Sequence, residues 1–283
     1  MSMRALQSSP GLIAQVLAGV VFFACAGSTQ AGILFSDSFR YSSGALAGNS
    51  GGSGWADGSS WSGGGLAGGN QVTSPLLTNP ADPSARSVRI ATNGEVSSRT
   101  LSNLYVTGIT SYFVSFVFNA SPYENSYAGV TLTLDTDSTQ SLFMGMPGGT
   151  GELGFDWTGS GYVTYAAATA TNYLVLFEIR AGASVTSVLM YATTNMMTSG
   201  SALAGSTALA SLMNEPMFSF DTVRIGGGAS NARIAGLAMA DNPTDAVAFT
   251  QSAMPGPAPL ALGLLAGAFG GSRGRARRRG TAG

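Results

Sequence analysis

The chain has 283 residues and a net charge of −1, with only 10% charged residues, 40 glycines, one cysteine and no histidine; all 13 basic residues are arginine. That inventory excludes a Ser-His-Asp triad, an imidazole metal ligand, a lysine Schiff base and a lysine-bearing phosphate loop. No internal apolar run reaches the roughly 20 residues that span a bilayer.

Residues 1–31 read as a secretory signal peptide. Arg4 precedes an apolar stretch over residues 12–26, and the small-residue exit "AGSTQA" follows. Cleavage is expected after Ala31, with Thr29 at the −3 position; a cut after Ala26 is the alternative. Cys25 also admits a lipidated-cysteine reading, which the bulky Phe22 and Phe23 oppose. Otherwise Cys25 leaves with the signal, and the mature chain has no thiol. Export without disulfides requires a large apolar core, and a body of residues 32–252 is long enough to supply one.

That body holds seven arginines against all 14 acidic residues, a net −7. Nucleic acid is therefore excluded as a partner, because phosphate binding needs clustered cations. From Ile33 onward, short runs of period 2 alternate with Gly, Asn, Asp, Ser and Pro. About ten strands are predicted, among them "ILFSDSF", "RSVRIAT", "TLSNLYV", "SYFVSFVFN", "GVTLTLD", "ELGFDW", "NYLVLFEIRA", "SVTSVLMYA", "MFSFDTVRIG" and "ARIAGLAMA". The run from Tyr112 to Phe118 is apolar on both faces and reads as central. Phe116, Phe118, Leu132, Phe155, Val175, Phe177, Phe220 and Ile225 fall on inward registers. The only helix candidate, residues 201–214, lacks a clean apolar stripe and reads as a loop with one short helix. The fold class is all-β, an antiparallel sandwich or jelly roll.

The chain closes on Pro255-Gly256-Pro257 and Pro259, an apolar run over residues 260–271, and then Arg273, Arg275, Arg277, Arg278 and Arg279. Arginines beside an apolar segment stay on the cytoplasmic side and act as a stop for export. The order of breaker, apolar run and arginine cluster, over about 25 residues, resembles the PEP-CTERM sorting signal of Gram-negative bacteria. Gly256 stands where that family has a glutamate, as in glycine variants of the motif. The resemblance implies a C-terminal sorting segment over residues 253–283, with an apolar helix held transiently in the membrane. It also implies cleavage by an exosortase-like enzyme after passage through the export machinery, and delivery to the cell surface or extracellular matrix.

Two further stretches carry a second resemblance. "DSFRYSSGALAGNSGGSGWADG" is similar to the opening of exported concanavalin A-like, laminin-G-like jelly rolls. "FSFDTVRIGGG" resembles that group's closing strand, in which an Asp and an Arg flank a buried apolar residue, here Val223. That fold serves lectins, glycosidases and inert modules alike.

Carboxylates remain the only catalytic groups to weigh. Glycoside hydrolysis needs two carboxyls about 5–5.5 Å apart, or about 6.5–9.5 Å for inversion. Glu152 and Asp156 share a strand face, but four residues separate their Cα atoms by roughly 13 Å. Asp135, Asp137 and Gln140 echo the Glu-x-Asp-x-x-Glu strand of jelly-roll glucanases, yet Gln140 cannot act as the general acid. Asp135 and Asp137 are the candidate calcium ligands, in a loop lacking the usual glycine and closing glutamate; no other cofactor is expected. Trp55, Trp61, Tyr123 and Tyr127 are candidate carbohydrate contacts, against core-covering roles for the two tryptophans. The expected protein is an exported, non-catalytic β-sandwich of the extracellular matrix or exopolysaccharide layer. A carbohydrate-binding module is the alternative, and a glycoside hydrolase a distant one.

Overall fold

The structure is a computed structural model that describes residues 32–63, 69–76, 84–90, 93–119, 127–167, 170–182, 184–228 and 231–254. The chain opens with β1 (Ile33–Asp37), β2 (Gly44–Ala45), β3 (Gln71–Thr73) and β4 (Ser87–Arg89), then β5 (Asn93–Val106) and β6 (Tyr112–Asn119). A meander follows of β7 (Tyr127–Leu134), β8 (Asp137–Met146), β9 (Leu153–Trp157) and β10 (Gly161–Tyr165). A second meander is made by β11 (Asn172–Ala181), β12 (Val185–Thr193) and β13 (Ala210–Pro216), with helix α1 (Gly200–Ala204) inside its last connection. Finally β14 (Ser219–Gly228) and β15 (Arg233–Ala240) return one strand to each sheet, and α2 (Pro243–Ala253) follows.

Among the described residues the strands form two sheets, and their pairings are antiparallel. The first runs β10-β9-β8-β7-β14-β5; the second runs β13-β12-β11-β6-β15-β4-β3-β2, with β1 also on β15. The all-β antiparallel class expected from the alternating pattern is the fold observed. All eight residues placed inward by that pattern are fully buried between the sheets. Rings interlock across the layers: Phe155 meets Phe177 edge-on at 6.2 Å, and Tyr112 meets Phe220 at 5.9 Å.

The outer faces of the two sheets differ. On the nine-stranded sheet, Val117, Leu174 and Leu176 point away from the main core and are covered by Leu203 of α1, Val247 of α2 and Met254. β6 is therefore apolar on both sides because it is buried on both sides, as its sequence predicts. α2 starts where its sequence dictates: the Asn242 side chain caps the Asp245 N–H at 2.9 Å, and Pro243 takes the first turn, where a missing N–H costs nothing. On the six-stranded sheet, no helix of the described residues covers the outer face.

The structure corrects several sequence expectations. Residues 201–214 are a five-residue helix followed by the edge strand β13, so their second half pairs with β12 instead of forming a loop. β8, β10 and α2 are elements that the pattern reading did not assign. "FSFDTVRIGGG" is β14, a central strand between β7 and β5, and the closing strand is β15. Val223 is fully buried there, as the resemblance implies. No helix among the described residues is long and apolar enough to cross a membrane. The signal segment with Ala31, the Pro255-Gly256-Pro257 motif, the apolar run and the five terminal arginines lie outside the described residues.

Candidate functional site

The outer face of the six-stranded sheet is built by strand registers. Gly226 lies opposite Gly129, Gly129 opposite Gly145, and Gly145 opposite Gly154. This line of glycines crosses β14, β7, β8 and β9 on the side away from the core, since Val130, Met144, Phe155 and Ile225 point inward beside them. At Gly129, Gly145 and Gly154 a Cβ would collide with a carbonyl oxygen of the neighbouring strand, and at Gly226 it would meet the Val96 side chain. At Gly129 a Cβ would run into the Met144 carbonyl oxygen and sit 2.8 Å from the Phe143 ring.

Aromatic rings take the space that the missing side chains leave. Phe143 lies over Gly129, Tyr127 over Gly228, and Tyr162 over Gly148. Tyr127 and Phe143 meet edge-on at 6.3 Å. Tyr127 remains 42% exposed and Tyr162 54%, so apolar ring surface faces water here instead of filling the core. The next row across the sheet reads Tyr162, Asp156, Phe143, Thr131, Arg224 and Ser98. Shallow depressions lined by Tyr127, Thr131, Ser141 and Phe143 extend toward Asp156 on one side and Arg224 on the other. Partial burial pushes the Asp156 carboxyl above its ordinary value. The face thus offers flat rings, a line of hydroxyls, the Asp156 carboxyl and the Arg224 guanidinium.

The residues singled out by sequence fall in four places. Tyr127 is on this face, and Tyr123 lies outside the described residues. Trp55 and Trp61 take the core-covering place that the sequence reading set against sugar contact: they are only 8% and 1% exposed and belong to the core cluster. The Trp55 indole N–H donates to the Ser36 carbonyl at 2.9 Å, and the Trp61 indole N–H donates to the Asp37 carboxylate at 2.8 Å. Arg99 stacks 4.4 Å above the Trp55 ring and pairs with Asp37 at 3.4 Å. The same guanidinium donates to the carbonyls of Gly51 and Ser50, so the glycine-rich segment is clamped to the sandwich by one buried ion pair and two indoles.

Asp135 is largely exposed; its N–H donates to the Asp221 carboxylate at 2.9 Å, and its own carboxylate stands 4.0 Å from Arg224. The Asp137 side chain lies outside what the structure describes, and the described residues contain no group of three or more Cys, Asp or Glu able to hold a metal. Glu152 accepts a hydrogen bond from the Thr164 hydroxyl. Phe143 and Tyr162 were not singled out by sequence, and Arg224 only as a flank of Val223. Their own strands show only that they point outward; which residues become neighbours depends on a cross-strand register that local periodicity does not contain.

No family model matches the sequence, and no curated relative does. Among solved structures, the globular domain of T. cruzi calreticulin is similar over 78% of this chain and 93% of its own, at 11% identity and a TM-score of 0.46. Lectin II from Ulex europaeus is similar over 65% of this chain and 92% of its own, at 8% identity and 0.39. A protein of unknown function with a galectin-like fold from Bacillus subtilis is similar over 64% of this chain and 88% of its own, at 7% identity and 0.40.

Proposed function

We propose that this protein is an exported, surface-sorted and non-catalytic sandwich of the jelly-roll kind that holds an extended glycan on the outer face of its six-stranded sheet. The observation that carries this reading is the row of glycines beneath Phe143 and Tyr127. It leaves a shallow track in which rings lie along the sheet, with Thr131, Thr133 and Ser141 as hydrogen-bonding neighbours. Sugars present apolar faces and rings of hydroxyls, and a partly open aromatic surface flanked by polar groups complements both. Extracellular delivery rests on the two terminal signals, and the processing partner would be an exosortase-like enzyme. The non-catalytic role rests on spacing: Glu152 shares the strand face of Asp156, and four residues of strand put their Cα atoms roughly 13 Å apart, beyond the carboxyl separations of glycoside hydrolysis.

The test is glycan-array screening of the residue 32–254 body, followed by calorimetry on the best binder. Tyr127→Ala combined with Phe143→Ala is expected to weaken binding at least tenfold, about 1.4 kcal/mol, with the fold retained by circular dichroism. Unchanged affinity in that variant would show that the glycan sits elsewhere. Sorting is tested separately by terminal mass spectrometry of surface fractions. Replacing the five terminal arginines by glutamine is expected to release the chain uncut, and surface material that keeps its intact tail would argue against processing.

A further inference from the structure

A second row of residues crosses the outer face of the nine-stranded sheet, on the opposite layer of the sandwich. The registers place Gln71 opposite Arg89, Arg89 opposite Arg233, Arg233 opposite Asn119, and Asn119 opposite Asn172. These five residues point the same way, because the residues beside them, Val72, Val88, Ile234, Phe118 and Tyr173, belong to or pack on the central core. All five are half-buried. Two arginines therefore occupy directly opposed positions on neighbouring strands, with a carboxamide residue at the next position on either side.

Like charges directly opposite one another in an antiparallel pair repel and destabilise it. In this molecule the other body arginines are engaged: Arg99 with Asp37, Arg180 with Glu178, Arg224 with Asp135, Arg40 with the Ser252 carbonyl and Arg86 with the Ala85 carbonyl. Among the described residues, neither Arg89 nor Arg233 makes a hydrogen bond or ion pair, and the Arg89 Nε is buried without a partner. On one flank the Asn119 amide donates to the Asn172 carbonyl oxygen at 2.8 Å, which orders the two carboxamides. A chain whose body carries a net −7 does not attract anions in general. Any anion held here must be bound locally, by this pair.

We propose that Arg89 and Arg233 form an oxyanion site for an acidic glycan, with Gln71 and Asn119 as its hydrogen-bonding flanks. Paired planar guanidiniums match the two oxygens of a uronate carboxylate and equally the oxygens of a sulfate ester. An anion between them replaces repulsion with two charge-assisted contacts. This site is separate from the glycine-row face and stands whether or not that face binds sugar.

The experiment is thermal unfolding of the residue 32–254 body in low-salt buffer, alone and with oligogalacturonate, dextran sulfate or neutral dextran. The parent is expected to gain several degrees with oligogalacturonate or dextran sulfate, the larger gain identifying carboxylate or sulfate as the preferred anion, and nothing with dextran. Salt is expected to weaken that gain. Arg89→Gln with Arg233→Gln is expected to melt no lower than the parent without ligand, because the repulsion is gone, and to lose the response to both acidic polymers. Arg89→Lys with Arg233→Lys keeps the charge and is expected to retain part of it, which guards against a glutamine variant that folds poorly. The Tyr127→Ala, Phe143→Ala variant is expected to respond like the parent, which separates the two faces. An equal gain in parent and glutamine variant, no gain in the parent, or an equal gain with dextran would overturn the site.

Discussion

Asp37→Ala is expected to destabilise the protein by about 3–5 kcal/mol, measured by urea unfolding at neutral pH. The ion pair it breaks is buried, with the Asp37 and Arg99 side chains 1% and 3% exposed, and removing one partner leaves the other charge uncompensated in the interior. The same oxygen of Asp37 also accepts from the Tyr41 hydroxyl and the Trp61 indole, so those donors lose their acceptor together. Asp37→Asn keeps an acceptor and is expected to cost less. The pH dependence of this group has an unusual sign. Burial pushes the Asp37 carboxyl above its ordinary value near 3.8, outweighing hydrogen bonds from Tyr41, Trp61 and the Phe39 N–H and the charge of Arg99. A raised carboxyl binds its proton more tightly in the folded state. Its contribution is complete below the unfolded value and is lost as pH rises through the folded one. Asp37→Asn, which cannot ionise, is expected to remove that decline; a parallel pair of stability-against-pH curves would show that Asp37 does not cause it.

Phe116→Ala is expected to cost about 3–5 kcal/mol through lost burial and the cavity it leaves. The ring is fully buried at the middle of β6, stacked on Phe177 at 5.9 Å and edge-on to Phe118 at 6.3 Å. Phe177 in turn meets Phe155 of the other sheet, so the cavity opens where the two layers grip one another. A loss under about 1 kcal/mol in guanidinium melts would mean that the site collapses without a void.

The main strands were legible because each buried face repeats every second residue. "SYFVSFVFN" displays its two-sided burial openly, and the outer face of β6, with that of β15, is covered by α2. β8 was legible in principle: Leu142, Met144 and Met146 alternate with Ser141, Phe143 and Gly145, but the acidic "DTDS" that precedes them reads as a turn and draws attention to calcium. α2 also announced itself, through Asn242, Pro243 and Asp245 at capping positions, with an apolar stripe too thin to stand out. The two tryptophans could not be placed by pattern. They lie in a segment with little regular structure, and only the Asp37–Arg99 pair, 62 residues apart in sequence, explains why they are buried. Both candidate sites are cross-strand rows, assembled by registers between separate strands, the first across the consecutive hairpins β7 to β10 and the distant β14, the second across strands spread from residue 71 to residue 233.

The two layers of the sandwich look in opposite directions, and the C-terminal end of the described chain belongs to one of them. Met254 packs with α2 on the nine-stranded layer. The described chain therefore ends on the layer that carries the Arg89–Arg233 row, opposite the layer of the glycine-row face. If both proposed sites bind, a single molecule joins two chemically different polymers, an acidic one on the nine-stranded layer and another on the ring-lined layer, without forming a dimer.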